Sequence, residues 1–260
     1  MWLMIAVTVQ YSGLVSFCSG VLSITSLNRL SEMSRINRDY FSVHHPGGVF
    51  FLMFGRHWTF SPVLFGRAAV DLPMIFHSSI SRVGRTSIDI CQTLQDEKDK
   101  TLLASLAFRI VNIDPEARGA AVPIPQSVLE EARKRTVAGG AQFPRIDPPS
   151  SLPQRVFTIQ IKVRYDDMDF LFHTNQSSYL EFALECAATA AESGFYSVIH
   201  DDIAFYHAKQ TTSVNLEESR VGDELTVSTW EDDNNKMLLN FAVNKAEQII
   251  YYARIEFCAK

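Results

Sequence analysis

The chain has 260 residues, enough for one large domain or two small ones, and its 47% hydrophobic and 20% charged content fits a globular protein that buries a core. A formal net charge of −5, from 24 basic and 29 acidic residues, excludes the broad attraction to nucleic acid that a basic protein has. Cys18, Cys91, Cys186 and Cys258 show neither a CxxC pairing nor histidines at metal-ligand spacing, so free thiols in a reducing compartment are expected and a zinc site is not.

Met1–Thr25 carries no charge, and the first basic residue is Arg29. The positive n-region of a signal peptide is missing. A membrane span needs about 20 mostly apolar residues, and Thr8, Gln10, Ser12, Ser16 and Ser19 interrupt this stretch. Arg29, Arg35 and Arg38 would suit a cytosolic flank. Membrane association or targeting through 1–25 stands beside the simpler reading, an apolar helix or strand packed on the body. The expected location is cytoplasmic, with an organellar or membrane-associated one as the alternative.

Further along, Pro46-Gly47-Gly48-Val49-Phe50-Phe51 reads as a turn leading into a helix, which Gly55, Pro62 and Gly66 keep short or broken. Met74–Arg82, Thr86–Leu94 and Thr101–Val111 read as strands, the last two joined by a polar turn at Gln95–Lys100. Val128–Arg135 reads as a helical piece. Its basic cluster, Arg133-Lys134-Arg135, is countered by Glu130 and Glu131 and is expected to be a solvated helix face. Gly139, Gly140, Pro144, Pro148, Pro149 and Pro153 then mark a linker.

Beyond it the order is strand Phe157–Arg164, helix Asn175–Glu192, then strands Ile203–Leu216, Glu224–Glu231, Lys236–Asn244 and Gln248–Cys258. Tyr179, Phe182, Ala183, Cys186, Ala187 and Ala190 form the helix's apolar stripe. Asn175 or Thr174 can cap its start and Gly194 can end it. The small side chains of the stripe let it approach one face of a sheet closely. The hairpin at Thr86–Val111 mirrors the one at Lys236–Cys258, which points to an internal repeat.

The chemistry-bearing residues lie between the first of these strands and the helix. Asp166, Asp167 and Asp169 follow the strand; His173, Thr174 and Asn175 form a turn; the helix then begins. Free backbone N–H groups and the positive end of the helix dipole at such a start can hold a developing negative charge. Asp166 and Asp167 are expected to be solvated turn residues or dipole partners. Phe170, Phe172, Phe182, Phe205 and Tyr206 could line an apolar tunnel, although the core is the simpler place for most of them.

Arg164-Tyr165-Asp166-Asp167-Met168-Asp169-Phe170-Leu171-Phe172-His173-Thr174-Asn175, followed by Tyr179-Leu180, resembles the hotdog-fold thioesterases of the 4-hydroxybenzoyl-CoA thioesterase type. Their pattern runs strand, Asp-x-Asp, a turn with glycine and histidine, Asn, then a helix with Tyr-Leu. The resemblance implies an α+β tandem (double) hotdog, each half a central helix wrapped by an antiparallel sheet. The expected division is an apolar segment at 1–34, a degenerate first hotdog at 35–127, a linker at 128–153 and a second hotdog with the motif at 154–260.

The resemblance further implies an acyl thioester substrate, carried on coenzyme A or an acyl carrier, with no cofactor beyond coenzyme A as part of the substrate. Asp169 maps to the catalytic carboxylate, with His173 and Asn175 beside it. Thr174, Gln176, Ser177 and Tyr179 map to oxyanion or substrate contacts, the oxyanion donors being amides of His173–Ser177. The two halves would form a pseudo-dimer, and a homodimer of whole chains is compatible with that. Phe172 stands where the family has glycine, and His44-His45-Pro46-Gly47 stands in the first half where an acidic residue would be expected. Those departures leave a non-catalytic acyl-CoA-binding or scaffolding relative as the alternative. A hydratase would need Asp-x-Asn-Pro-x-His, which the motif lacks.

Overall fold

The computed structural model describes residues 7–8, 49–65, 74–114, 120–169 and 172–259. The chain divides into two compact units, Met1–Pro144 and Arg145–Lys260.

In the first unit the strands are β1 (Val7–Thr8), β2 (Phe50–Phe60), β3 (Met74–Val83), β4 (Ser87–Asp96), β5 (Leu102–Asp114) and the two-residue β6 (Ala120–Ala121). They pair antiparallel in the order β1-β3-β4-β5-β2, with β6 on the end of β5. The helix expected to open near Phe50 is instead the strand β2, whose register with β5 runs from Phe50 opposite Ile113 to Phe60 opposite Ala104. Its sequence is rich in aromatics, which suit a pleated, half-buried surface better than a helix. Gly55, read as a helix breaker, sits where the register shifts after Met53, a bulge. Pro62 then opens the four-residue helix α1 (Pro62–Phe65), a position where its missing N–H does no harm.

Helix α2 (Gln126–Lys134) buries Val128, Leu129 and Ala132, while Arg135 and Lys134 pair with Glu131 on its solvated face. The chain after it packs on the first unit's sheet. Phe143 is 3% exposed, meets Phe54 edge-on and lies 5.4 Å beneath the Arg109 guanidinium. Arg109 also grips the buried Asp89 through two hydrogen bonds of 2.6 and 2.8 Å. Gly140 is required here because a β-carbon would stand 2.8 Å from that of Ser81.

In the second unit the strands are β7 (Phe157–Lys162), β8 (Ala208–Asn215), β9 (Glu224–Glu231), β10 (Leu238–Lys245) and β11 (Gln248–Phe257). Their antiparallel order is β7-β9-β10-β11-β8, the same as in the first unit when strands are counted along the chain. The stretch expected to be one strand from Ile203 starts with a 3-10 turn, Ile203–Phe205, and pairs only from Ala208.

Helix α3 (Gln176–Glu192) lies across this sheet against β9, β7 and β10. Ala183, Cys186, Ala187 and Ala190 are fully buried beneath it, and the Cys186 thiol donates to the Val227 carbonyl at 3.4 Å. Small side chains at these positions bring the helix backbone close to the inner face of Leu225, Val227, Leu239, Phe241 and Val243. Gly194, at φ 70°, takes the left-handed conformation that ends the helix. The Gly194 amide donates to the Ala191 carbonyl and that of Phe195 to Ala190, which satisfies the last turn. Among the described residues no helix is long and apolar enough to cross a membrane; the membrane or targeting role of 1–25 concerns residues outside those described, Val7–Thr8 apart.

Candidate active site

The site grows out of how β7 is joined to α3. Val163 is clasped at the end of β7, donating to the Asp223 carbonyl and accepting from the Gly222 amide, each at 2.9 Å. The chain then makes a 3-10 turn, Tyr165–Asp167. Asp166 is solvated as expected, but Asp167 is 3% exposed. Its carboxylate accepts the Arg164 amide at 2.7 Å, and its carbonyl accepts the Asn175 amide at 2.8 Å and the Ser178 hydroxyl at 3.0 Å. Asp167 is therefore a buried brace for the entry to α3, not a solvated turn residue. The buried carboxylate survives because its charge is taken up by the Arg164 amide and by the Arg164 guanidinium 3.5 Å away.

A tight turn follows. The Asp169 amide donates to the His173 carbonyl at 2.8 Å, and the Phe172 amide donates to the Asp169 carbonyl at 3.1 Å. The half-buried Asp169 carboxylate folds back to accept the His173 amide at 3.2 Å. Phe172 holds φ 60°, the left-handed region that glycine occupies without strain. A phenylalanine thus sits in a backbone conformation that glycine favours. Phe172 and Phe205 are each 66% exposed, so neither fills the core as expected, whereas Phe182 does. Phe170 lies outside the described residues.

Asn175 caps α3, its side chain accepting the Ser177 amide at 2.8 Å. The amides expected as oxyanion donors are mostly committed to the fold. His173 donates to Asp169, Thr174 to the Ser219 carbonyl, Asn175 to the Asp167 carbonyl and Ser177 to the Asn175 side chain. A turn this tight and this buried must pair its own backbone donors. Gln176 is half-buried at the first helical position, and Ser177 is 1% exposed. Tyr179 is 2% exposed, stacked on Tyr251 at 5.1 Å, with its hydroxyl bonded to Ser219. Burial pushes the Tyr179 phenol above its ordinary value, so it stays a neutral hydroxyl. Burial likewise pushes the Cys186 thiol up to about 12, which rules it out as a thiolate nucleophile.

One partner of the turn was not legible in the sequence. The His173 ring reaches the Glu218 carboxylate, Nε2 to Oε2, at 3.2 Å. His173 is a quarter exposed and Glu218 less than half. Glu218 lies in the loop between β8 and β9, and no local pattern links it to the turn. An imidazole whose Nε2 bears the proton toward Glu218 carries its lone pair on Nδ1, the form a base needs. The site therefore gathers two carboxylates and an oriented imidazole at the positive end of a buried helix. No group of His, Cys, Asp or Glu able to hold a metal ion occurs among the described residues.

No protein-family model matches the chain, and no curated protein sequence does. Solved structures do. The 12:0-ACP thioesterase from Umbellularia californica is 14% identical, with 100% of this chain and 99% of that one covered and a TM-score of 0.77. A putative oleoyl thioesterase from Lactobacillus plantarum is 13% identical over 93% of this chain and 91% of that one, with a TM-score of 0.72. An acyl-ACP thioesterase from Bacteroides thetaiotaomicron is 15% identical over 97% of both chains, with a TM-score of 0.71. At such identities the likeness is one of fold, and the fold is the hotdog.

Proposed function

We propose that the chain is a tandem hotdog that hydrolyses acyl thioesters, with its working site at the start of α3. One observation carries this reading. The turn that folds the Asp169 carboxylate onto the His173 amide also delivers the His173 ring to Glu218, beside the N-terminus of a buried helix. The identical strand order of the two units supports the tandem architecture.

A thioester needs neither a metal nor a strong acid, because its leaving group is a thiolate. Asp169 takes a proton from water, and the water oxygen adds to the carbonyl carbon. Charge builds on the carbonyl oxygen at the positive end of α3, where it is stabilised. The intermediate collapses, the carbon–sulfur bond breaks, and the thiolate leaves with the sulfur's electron pair. The proton returns to it by way of His173 Nδ1, whose ring Glu218 orients. The acyl group is fatty or aromatic, carried on coenzyme A or an acyl carrier protein; the structural neighbours bear names of both fatty-acyl and ACP type.

The test is thiol release from butyryl-, lauroyl-, palmitoyl- and benzoyl-CoA and from the matching acyl carriers. Asp169→Asn should lower kcat by about 10²-fold or more, the size of a general base's contribution, with the fold intact by circular dichroism. Coenzyme A esters that bind the wild-type chain without any release would establish the non-catalytic relative instead.

A further inference from the structure

Ser219 immediately follows Glu218 and is fully buried, although the neighbouring loop is open to solvent. Every polar group it has is engaged. Its amide donates to the Tyr179 hydroxyl at 3.0 Å, and its hydroxyl lies 2.8 Å from that same oxygen and 2.6 Å from the Thr174 hydroxyl. Its carbonyl accepts both the Thr174 amide at 2.9 Å and the Thr174 hydroxyl at 3.0 Å. One direction of the protons uses all of them. Tyr179 O–H donates to Ser219 Oγ, Ser219 O–H to Thr174 Oγ1, and Thr174 O–H to the Ser219 carbonyl. Run the other way, the tyrosine proton has no acceptor within this set. A buried, fully satisfied chain of this kind is rigid, and loss of one member leaves the others unpaired in a dry site.

The clamp joins what the sequence separates. Thr174 follows His173 in the turn, Ser219 follows Glu218, and Thr174 and Ser219 are 45 residues apart. Tyr179 belongs to the buried face of α3 and is held flat against Tyr251. The glutamate itself has a half-open side chain on a surface loop, which alone would not hold a carboxylate at 3.2 Å from an imidazole.

We propose that Tyr179, Ser219 and Thr174 are positioning residues that hold Glu218 against His173. This rests on the role given above to the His173–Glu218 pair. The three hydroxyls touch no reacting atom; they fix the distance between two loops that do. Misplacement of a catalytic group by about 1 Å can cost ~10²-fold in rate, so the clamp is felt in kcat while substrate affinity is unaltered.

The test has two arms on the full chain. In crystal structures of Ser219→Ala and Tyr179→Phe, the His173–Glu218 contact is expected to open; a contact kept at 3.2 Å in both overturns the proposal, whether or not the chain turns over any thioester. In the kinetic arm, lauroyl-CoA hydrolysis by either variant should lose roughly 10- to 100-fold in kcat with KM unchanged. Thr174→Ser, which keeps the hydroxyl, should retain activity where Thr174→Val does not. Placed in a Glu218→Gln background, Ser219→Ala should cost almost nothing more, because the group it positions is gone. Full additivity there, or a loss confined to KM, overturns the positioning role. A wild-type chain inert toward every thioester sinks the hydrolase reading alone, and the structural arm still decides the clamp.

Discussion

At the scale of single residues, the oddest choice in the chain is Phe172. A β-carbon in the left-handed region meets the following carbonyl and costs about 1–2 kcal/mol. The exposed ring recovers little of that by burial, since two-thirds of the residue faces solvent. Phe172→Gly should remove the strain, while glycine's greater freedom in the unfolded chain takes back roughly 0.4–1 kcal/mol. The net expectation is a gain in stability of about 0 to 1.6 kcal/mol, read as a higher urea midpoint with an unchanged slope. Phe172→Ala keeps the β-carbon and should show no such gain. Equal midpoints for the glycine and alanine variants would mean that the backbone there is not strained. The residue sits beside His173, so a chain that tolerates strain at this point gives it to the turn that carries the site. Asp169, His173 and Asn175 were legible as a group because they are neighbours in sequence. Glu218 and Ser219 were not, because only the pairing of β7 and α3 with the β8–β9 loop brings them to the turn.

Secondary-structure elements were legible where one physical signal dominated. Glu224–Glu231 and Gln248–Phe257 are rich in β-branched and aromatic residues and bounded by turn signals, and their bounds are close to those the sequence predicts. The stripe of α3 with its asparagine cap and glycine stop was equally plain. Phe50–Phe60 was not, because apolar residues crowd both faces and glycine and proline stood nearby, so a bulged strand resembled a broken helix. The pairing of β8 with β11 carries an electrostatic consequence. Glu256 accepts from Lys209 at 2.9 Å, from Gln210 at 2.6 Å and from Asn235 at 3.4 Å. The Lys209 ammonium beside it is the main reason that its carboxyl titrates below the ordinary 4.5, against the opposing effect of burial. The folded chain then binds that proton more weakly than the unfolded one. The stabilisation is complete above the unfolded value and disappears as pH falls through the lower folded value. Glu256→Gln should accordingly melt below the wild type near neutral pH, and the gap should close in acid below 4.5. A gap that is the same at neutral and acid pH would show that packing, not charge, sets the difference.

At the scale of the molecule, the two units share a strand order that the sequence only hinted at through one mirrored hairpin. Hairpins resemble one another too readily for such a match to establish a repeat, whereas order across a whole sheet is a far narrower coincidence. The second unit contains every group of the candidate site: Asp169, His173, Thr174, Tyr179, Glu218 and Ser219 all lie within Arg145–Lys260. It also has a complete sheet and a helix whose central residues are fully buried against it. A unit with its own helix-on-sheet core falls in the usual domain range of about 50–250 residues, large enough to fold as one cooperative block. Produced alone, Arg145–Lys260 is expected to show a single thermal transition by circular dichroism and a dispersed amide spectrum. The Ser219 amide, closed off by the Tyr179 hydroxyl, should be among its slowly exchanging hydrogens, since exchange there requires the clamp and the helix to part. A fragment that melts without cooperativity would show that the helix and sheet of this unit do not make a sufficient core. A cooperative fragment in which that amide exchanges as fast as a loop would show that the fold survives while the clamp does not form in it.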